Sequence, residues 1–179
     1  MFGCIHMDYM IDLETLATTP DAHILSIGVV DMNNHDNTYY TTVSESAQVN
    51  RIKEYGTIKW WSRQSKEARD SAMDRVHSKS LPQSLHELSL FIDKYKLTHP
   101  WANGSCFDII ILENAYRQCD IEIPWKFWNI RDTRTIYDMA ERITGKTLKP
   151  EREGTYHNAL DDAIFQSQWV RNIRDVIEP

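Results

Sequence analysis

The chain has no apolar run near the ~20 residues of a membrane-spanning helix. Its longest candidate, Ile109-Ile110-Ile111-Leu112, is far too short. The first residues lack the basic segment and following apolar stretch of a secretory signal. Cysteine is scarce: Cys4, Cys106 and Cys119 are odd in number, and no two stand in a C-x-x-C spacing. That argues against a zinc site or a disulfide framework and for a reducing, cytoplasmic setting. Positive charge is not in excess either. A net charge of −6 argues against a role in coating nucleic acid, because tight non-specific binders are basic. It leaves room for an enzyme that handles a few nucleotides, whose own acids count towards the total. Repeats, linkers and low-complexity segments are missing too. What remains, 179 residues that are 41% apolar and 26% charged, suits one globular domain with a sizeable core. Residues 7–178 are expected to form that domain. Residues 1–6 read as an N-terminal extension, or as residues preceding an alternative start at Met7.

The stretch around which the chain is organised is Tyr9-Met10-Ile11-Asp12-Leu13-Glu14-Thr15. It reads as a strand, and side chains on a strand alternate between faces. Asp12 and Glu14 therefore share a face. Two neighbouring carboxylates repel, and one tends to keep its proton unless a cation neutralises the pair. Mg²⁺ and Mn²⁺ take such hard oxygen ligands. Taken alone, the pattern fits half of a metal site or an amphipathic strand with a solvated acidic face.

Residues 7–14, 22–32 and 38–44 are rich in strand formers and joined by short polar turns, which predicts an antiparallel meander. Helical patterns follow at 57–61 and 65–76, with Ser65 as N-cap, and at 83–95 after a break at Ser80-Leu81-Pro82. Pro100-Trp101-Ala102 reads as a strand and 107–119 as a helix. Residues 123–130 read as a strand leading to Arg131-Asp132-Thr133, and 135–143 as a helix closed by Gly145. Residues 146–155 form a polar loop, and residues 157–177 are mostly a final helix. Antiparallel strands followed by alternating helices and strands predict an α/β fold, a mixed sheet with helices packed against it.

Two more acidic spots stand out. Asp108 follows Asn103-Gly104-Ser105-Cys106-Phe107, where strand gives way to helix. Asp161 and Asp162 follow His157 in G-T-Y-H-N-A-L-D-D-A. A third and a fourth carboxylate would complete a two-metal centre with Asp12 and Glu14, of the kind that stabilises both oxygens of a phosphodiester displacement. A histidine beside them suits a proton acceptor, since imidazole titrates near neutrality.

Asp12-x-Glu14, Asn103-x-x-x-Phe107-Asp108 and His157-x-x-x-x-Asp162 resemble the three exonuclease motifs of the DEDDh 3′–5′ exonucleases, in the ribonuclease H-like superfamily. The run from Gly56 to Arg69 (G-T-I-K-W-W-S-R-Q-S-K-E-A-R), with Arg131-Asp132-Thr133-Arg134-Thr135, resembles a narrower subgroup. That subgroup holds the T-even phage DNA exonuclease A and a mycobacterial 3′–5′ exoribonuclease. The resemblance covers the chain from Met7 to the last helix and implies a ribonuclease H-like sheet of five strands flanked by helices. It implies that Asp12, Glu14, Asp108 and Asp162 bind two Mg²⁺ or Mn²⁺ ions and that His157 orients or deprotonates the attacking water. It places Thr15 and Leu16 near the terminal nucleotide, and Asn103 and Phe107 in support of the second motif. Single-stranded DNA or RNA 3′ ends are the implied partners, and a homodimer is compatible with it.

Helical spacing alone pairs His157 with Asp161, four residues on; the resemblance selects Asp162 instead. Of Trp60 and Trp61, one is expected to be exposed, and Trp61 is taken as a candidate for stacking on a base. Lys59, Arg63, Lys66 and Arg69 read either as a phosphate-binding stripe or as an ordinary solvated face. Arg142, Lys146, Lys149 and Arg152 surround the loop before His157. Two other functions stay open: a non-catalytic nucleic-acid or protein-binding module on the same fold, and a phosphodiesterase for very short oligonucleotides.

Overall fold

The computed structural model describes residues 7–177; the expected extension at 1–6 lies outside the described residues. Five strands, β1 (Asp8–Thr15), β2 (Ile24–Asp31), β3 (Thr38–Thr42), β4 (His99–Ala102) and β5 (Arg131–Asp132), form one mixed sheet in the order β3-β2-β1-β4-β5. The first three pair antiparallel, and β4 and β5 join in parallel. The predicted meander and mixed sheet are both present. Six helices flank the sheet: α1 (Tyr55–Trp61), α2 (Lys66–Ala72), α3 (Leu81–Lys94), α4 (Ser105–Gln118), α5 (Thr133–Thr144) and α6 (Ala159–Ile177). Among the described residues, no helix is long and apolar enough to cross a membrane.

Alternation along β1 divides the core. Tyr9, Ile11 and Leu13 face one side, where Leu85, Leu88 and Ile92 of α3 and Ile109, Leu112 and Tyr116 of α4 cover them. Met10 faces the other side with Val30 and Trp101, covered by Ala163 and Val170 of α6. Asp12 and Glu14 continue the Met10 row by strand periodicity, which sets them beneath the start of α6. A smaller cluster joins Leu16, Leu25, Trp61, Ala68 and Ala72 beside the end of β1.

Two local expectations need correction. Leu81 and Pro82 do not break a helix; they begin α3. Ser80 caps it by accepting the Gln83 N–H, and Pro82 sits in the first turn, where a missing N–H leaves no bond unmade. The apolar segment 123–130 is not a strand either. Trp125 plugs the core beside Tyr116, and a single 3₁₀ turn, Phe127–Asn129, delivers the chain to the two-residue β5.

Candidate active site

Asp12 lies opposite Gly28 in the β1–β2 ladder. A side chain on Gly28 would put its Cβ 2.2 Å from the Ala159 carbonyl carbon and 2.3 Å from the Leu160 nitrogen. The backbone of α6 therefore rests on the backbone of β2. This contact brings the first turn of the last helix to the strand that carries Asp12 and Glu14. Asn158 fixes where that turn begins: its side-chain oxygen accepts the Leu160 and Asp161 N–H groups at 3.0 and 3.1 Å, and its amide reaches Ser71 Oγ.

His157 precedes α6 with a left-handed backbone, φ 62°. Its own N–H donates to Asp162 Oδ2 at 3.1 Å, so His157 and Asp162 are joined across a turn and not along a helix face. Asp161 turns away and accepts the Thr155 N–H at 2.7 Å. The helical i,i+4 rule fails here because His157 is not in the helix. The His157 ring stands edge-on to Trp60, with centroids 4.7 Å apart, and 6.2 Å from Trp61.

Asp108 arrives from the opposite layer. The parallel β1–β4 ladder ends at Ile11 and Ala102, leaving the next N–H on that edge without a strand partner. Asp108, in the first turn of α4, takes it: Leu13 N–H donates to Asp108 Oδ1 at 3.0 Å. Gly104 makes the sharp entry to α4 at φ 106°, with the Arg134 guanidinium close over it.

The result is a crowded acidic centre. Glu14, His157 and Asp162 bring possible ligand atoms within 4.8 Å of one another. Burial and the charges of Asp162 and Asp108 push the Glu14 carboxyl up to about 8. Burial pushes Asp108 up to about 7, against the Leu13 N–H that favours its anion. Asp12 is raised well above the carboxylate range by burial and then by Asp108, Glu14 and Asp162. Burial also raises Asp162, while Arg152 opposes the shift. Buried like charges of this density fit a divalent cation, which would replace mutual repulsion with coordination by hard oxygen donors. A cavity of about 290 Å³ opens beside them, lined by Asn103, Tyr137, Tyr156, Phe165 and Trp169 in addition to the acids.

The other expected contacts fall less evenly. Asn103 lines the cavity and accepts a hydrogen bond from Thr133 Oγ1 at 3.0 Å. Phe107 packs against the main core. Thr15 turns its hydroxyl to the Ala17 carbonyl, and Leu16 packs in the small cluster with Trp61. Trp61 is only 2% exposed and donates its indole N–H to the Thr15 carbonyl at 2.8 Å. It holds the end of β1 and offers no free ring face; Trp60, 40% exposed, is the ring presented beside His157. In the basic stripe, Lys66 pairs with Asp70, and Arg69 folds back onto the Gln64 carbonyl.

Two contacts have no local sequence signature. Gln166 Nε2 donates to Asp12 Oδ1 at 2.7 Å, and Arg152 forms an ion pair with Asp162 at 2.5 Å. Gln166 stands four residues after Asp162 on α6, so helical spacing from that acid is the one hint the sequence holds.

Fold and acidic centre together define a 3′–5′ exonuclease of the DEDDh class. A family model described as the 3′-5′ exoribonuclease Rv2179c-like domain matches residues 7–174, and the chain belongs to that family. The chain is also 25% identical to the exodeoxyribonuclease of Enterobacteria phage T4, over 87% of this chain and 83% of that protein. Among solved structures, the nuclease domain of 3′hExo, a DEDDh family member bound to rAMP, superposes with a TM-score of 0.60 at 16% identity. It covers 98% of this chain and 94% of that one. A zinc-bound E. coli ExoI–ssDNA complex superposes with a TM-score of 0.71 at 12% identity, over 96% of this chain; the chain spans only 41% of ExoI.

Proposed function

We propose that residues 7–178 act as one exonuclease domain, releasing nucleoside 5′-monophosphates from the 3′ ends of single-stranded or 3′-overhang nucleic acid. The observation that carries this reading is the convergence of Glu14, His157 and Asp162 within 4.8 Å, with Asp108 and Asp162 close enough to raise the carboxyls of both Asp12 and Glu14. Two divalent ions, Mg²⁺ or Mn²⁺, held by Asp12, Glu14, Asp108 and Asp162, would activate the attacking water and stabilise the departing 3′ oxyanion. His157 orients that water and accepts its proton, with the ring position set by its left-handed backbone and by Trp60. Asn103 and the aromatic lining of the cavity receive the terminal nucleotide, where base–aromatic stacking contributes ~1–3 kcal/mol per base.

The test is digestion of 5′-labelled single-stranded DNA and RNA of equal sequence, in a length series, with and without Mg²⁺ or Mn²⁺. The expected result is a ladder shortening from the 3′ end only with metal, and the relative rates on the two strands define the sugar preference. Asp12→Ala is expected to abolish the ladder. His157→Ala is expected to slow it by ~10²–10⁴-fold, the range for loss of a positioned general base. Binding of both strands with no cleavage under any metal would leave a binding module. Activity confined to oligomers of a few nucleotides would make the enzyme a short-oligonucleotide phosphodiesterase.

A further inference from the structure

Both oxygens of Asp162 are engaged. Oδ2 accepts the His157 N–H, and Oδ1 faces Arg152 Nη2 at 2.5 Å. The two partners differ in what they can give up. The His157 N–H is fixed by the turn that starts α6 and cannot leave without rebuilding that turn. Arg152 is a side chain on the loop between α5 and α6 and can swing away.

Arg152 is also the one cation among the described residues lining the acidic cavity. Its side chain is 12% exposed. The guanidinium lies over the Tyr156 ring at 4.5 Å and the Phe165 ring at 4.8 Å and donates to the Thr155 carbonyl at 3.1 Å. Its Nε is buried with no partner, so the seat is an incomplete one for a guanidinium, which has five donors to satisfy. The loop around it is strapped to α6: Trp169 Nε1 donates to the Thr147 carbonyl at 2.6 Å, Asn172 Nδ2 donates to the Leu148 carbonyl at 3.2 Å, and Lys149 lies over the Phe165 and Trp169 rings.

We propose that Arg152 is the resident counter-cation of the acidic centre and exchanges with a divalent ion at Asp162, so that guanidinium and ion exclude one another. A nitrogen 2.5 Å from a carboxylate oxygen fills the space that Mg²⁺ would enter to bind that oxygen at ~2.0–2.1 Å. Two cations at such separation also repel. Arg152 thus offsets part of the centre's negative charge when no ion is bound and competes with the ion when one arrives. It is a positioning residue for Asp162, and the inference rests on the metal-centre reading above.

The experiment is calorimetric titration of the metal-free protein with Mn²⁺ alone, together with thermal melts with and without saturating Mn²⁺. The proteins are wild type, Arg152→Gln and Arg152→Lys. Arg152→Gln is expected to bind Mn²⁺ about 10-fold more tightly, equivalent to ~1.4 kcal/mol, and Arg152→Lys to fall between. The metal-free midpoint of Arg152→Gln is expected to drop, with most of the gap closing in Mn²⁺, because the ion-bound state no longer uses the arginine. A plain structural role would weaken Mn²⁺ binding and lower both midpoints equally, and that result overturns the proposal, as does an unchanged affinity. Should Arg152→Gln fail to fold, the Lys variant carries the test, with tighter binding again expected. Absence of Mn²⁺ binding by the wild-type protein would instead sink the metal-centre reading itself.

Discussion

Glu14→Gln is expected to abolish chain shortening, by on the order of 10⁴-fold or more, and to raise the thermal midpoint of the metal-free protein. The two effects share one cause. Glu14 is 7% exposed and faces Asp162 and Asp108, and burial followed by those charges lifts its carboxyl to about 8 from an ordinary 4.5. A group whose folded pKa lies above its unfolded one adds stability below the unfolded value and loses it as pH rises through the folded value. The metal-free wild type is therefore expected to melt at progressively lower temperature between about pH 5 and pH 8.5. A glutamine holds the shape of a protonated glutamate at every pH, so the variant is expected to show a flatter profile and a midpoint a few degrees higher at pH 8. For a chain of this size ~1 kcal/mol moves the midpoint by roughly 2–4 °C. Melts across that pH range in EDTA check the claim. A variant less stable than wild type at pH 8, with an undiminished pH slope, would show that shape and not charge repulsion governs the centre.

The second large effect is predicted for Gly28→Ala. A methyl group here meets the carbonyl carbon and oxygen of Ala159 at 2.2 and 2.3 Å, and backbone atoms cannot turn aside as a flexible side chain can. Overpacking typically costs ~1–3 kcal/mol, occasionally more, and the start of α6 is expected to lift off β2. The midpoint is expected to fall by about 10 °C. Exonuclease activity is expected to fall well beyond that even at 20 °C, because the displaced turn carries Asp162 and its link to His157. Gly56→Ala is the control. It lies in α1 with open space around its Cβ, so it is expected to be neutral or stabilising by ~0.5–1 kcal/mol. Equal melts for Gly28→Ala and wild type would refute the close contact.

These two glycines show what the sequence discloses and what it does not. Period-two alternation in 9–15 was enough to put Asp12 and Glu14 on one face, and the ladder places them there. The β-branched run at 22–32 reads as a strand buried on both faces, as β2 is, but nothing in that run marks its glycine as a contact point. Only the approach of α6, more than a hundred residues later in the chain, gives Gly28 its meaning. Likewise β5, two residues long, is too short for any periodicity to register, and the apolar segment before it imitated a strand because Trp125 and its neighbours fill the core. Neighbouring Trp60 and Trp61 were legible as one exposed and one buried, yet which is which depends on the Thr15 carbonyl. The Arg152–Asp162 contact belongs to tertiary structure alone, and helical spacing from Asp162 hints at Gln166 without disclosing its bond to Asp12.

The bond between Gln166 and Asp12 joins residues 154 positions apart, and its reach bears on the birth of the protein. Synthesis proceeds from the N-terminus, so the first two acids leave the ribosome long before α6 does. Until that last helix docks on β2, a nascent chain holds Asp12 and Glu14 without Asp162 or His157. A chain that stalls before α6 therefore keeps the strand that carries the first acids but lacks the helix that closes over them.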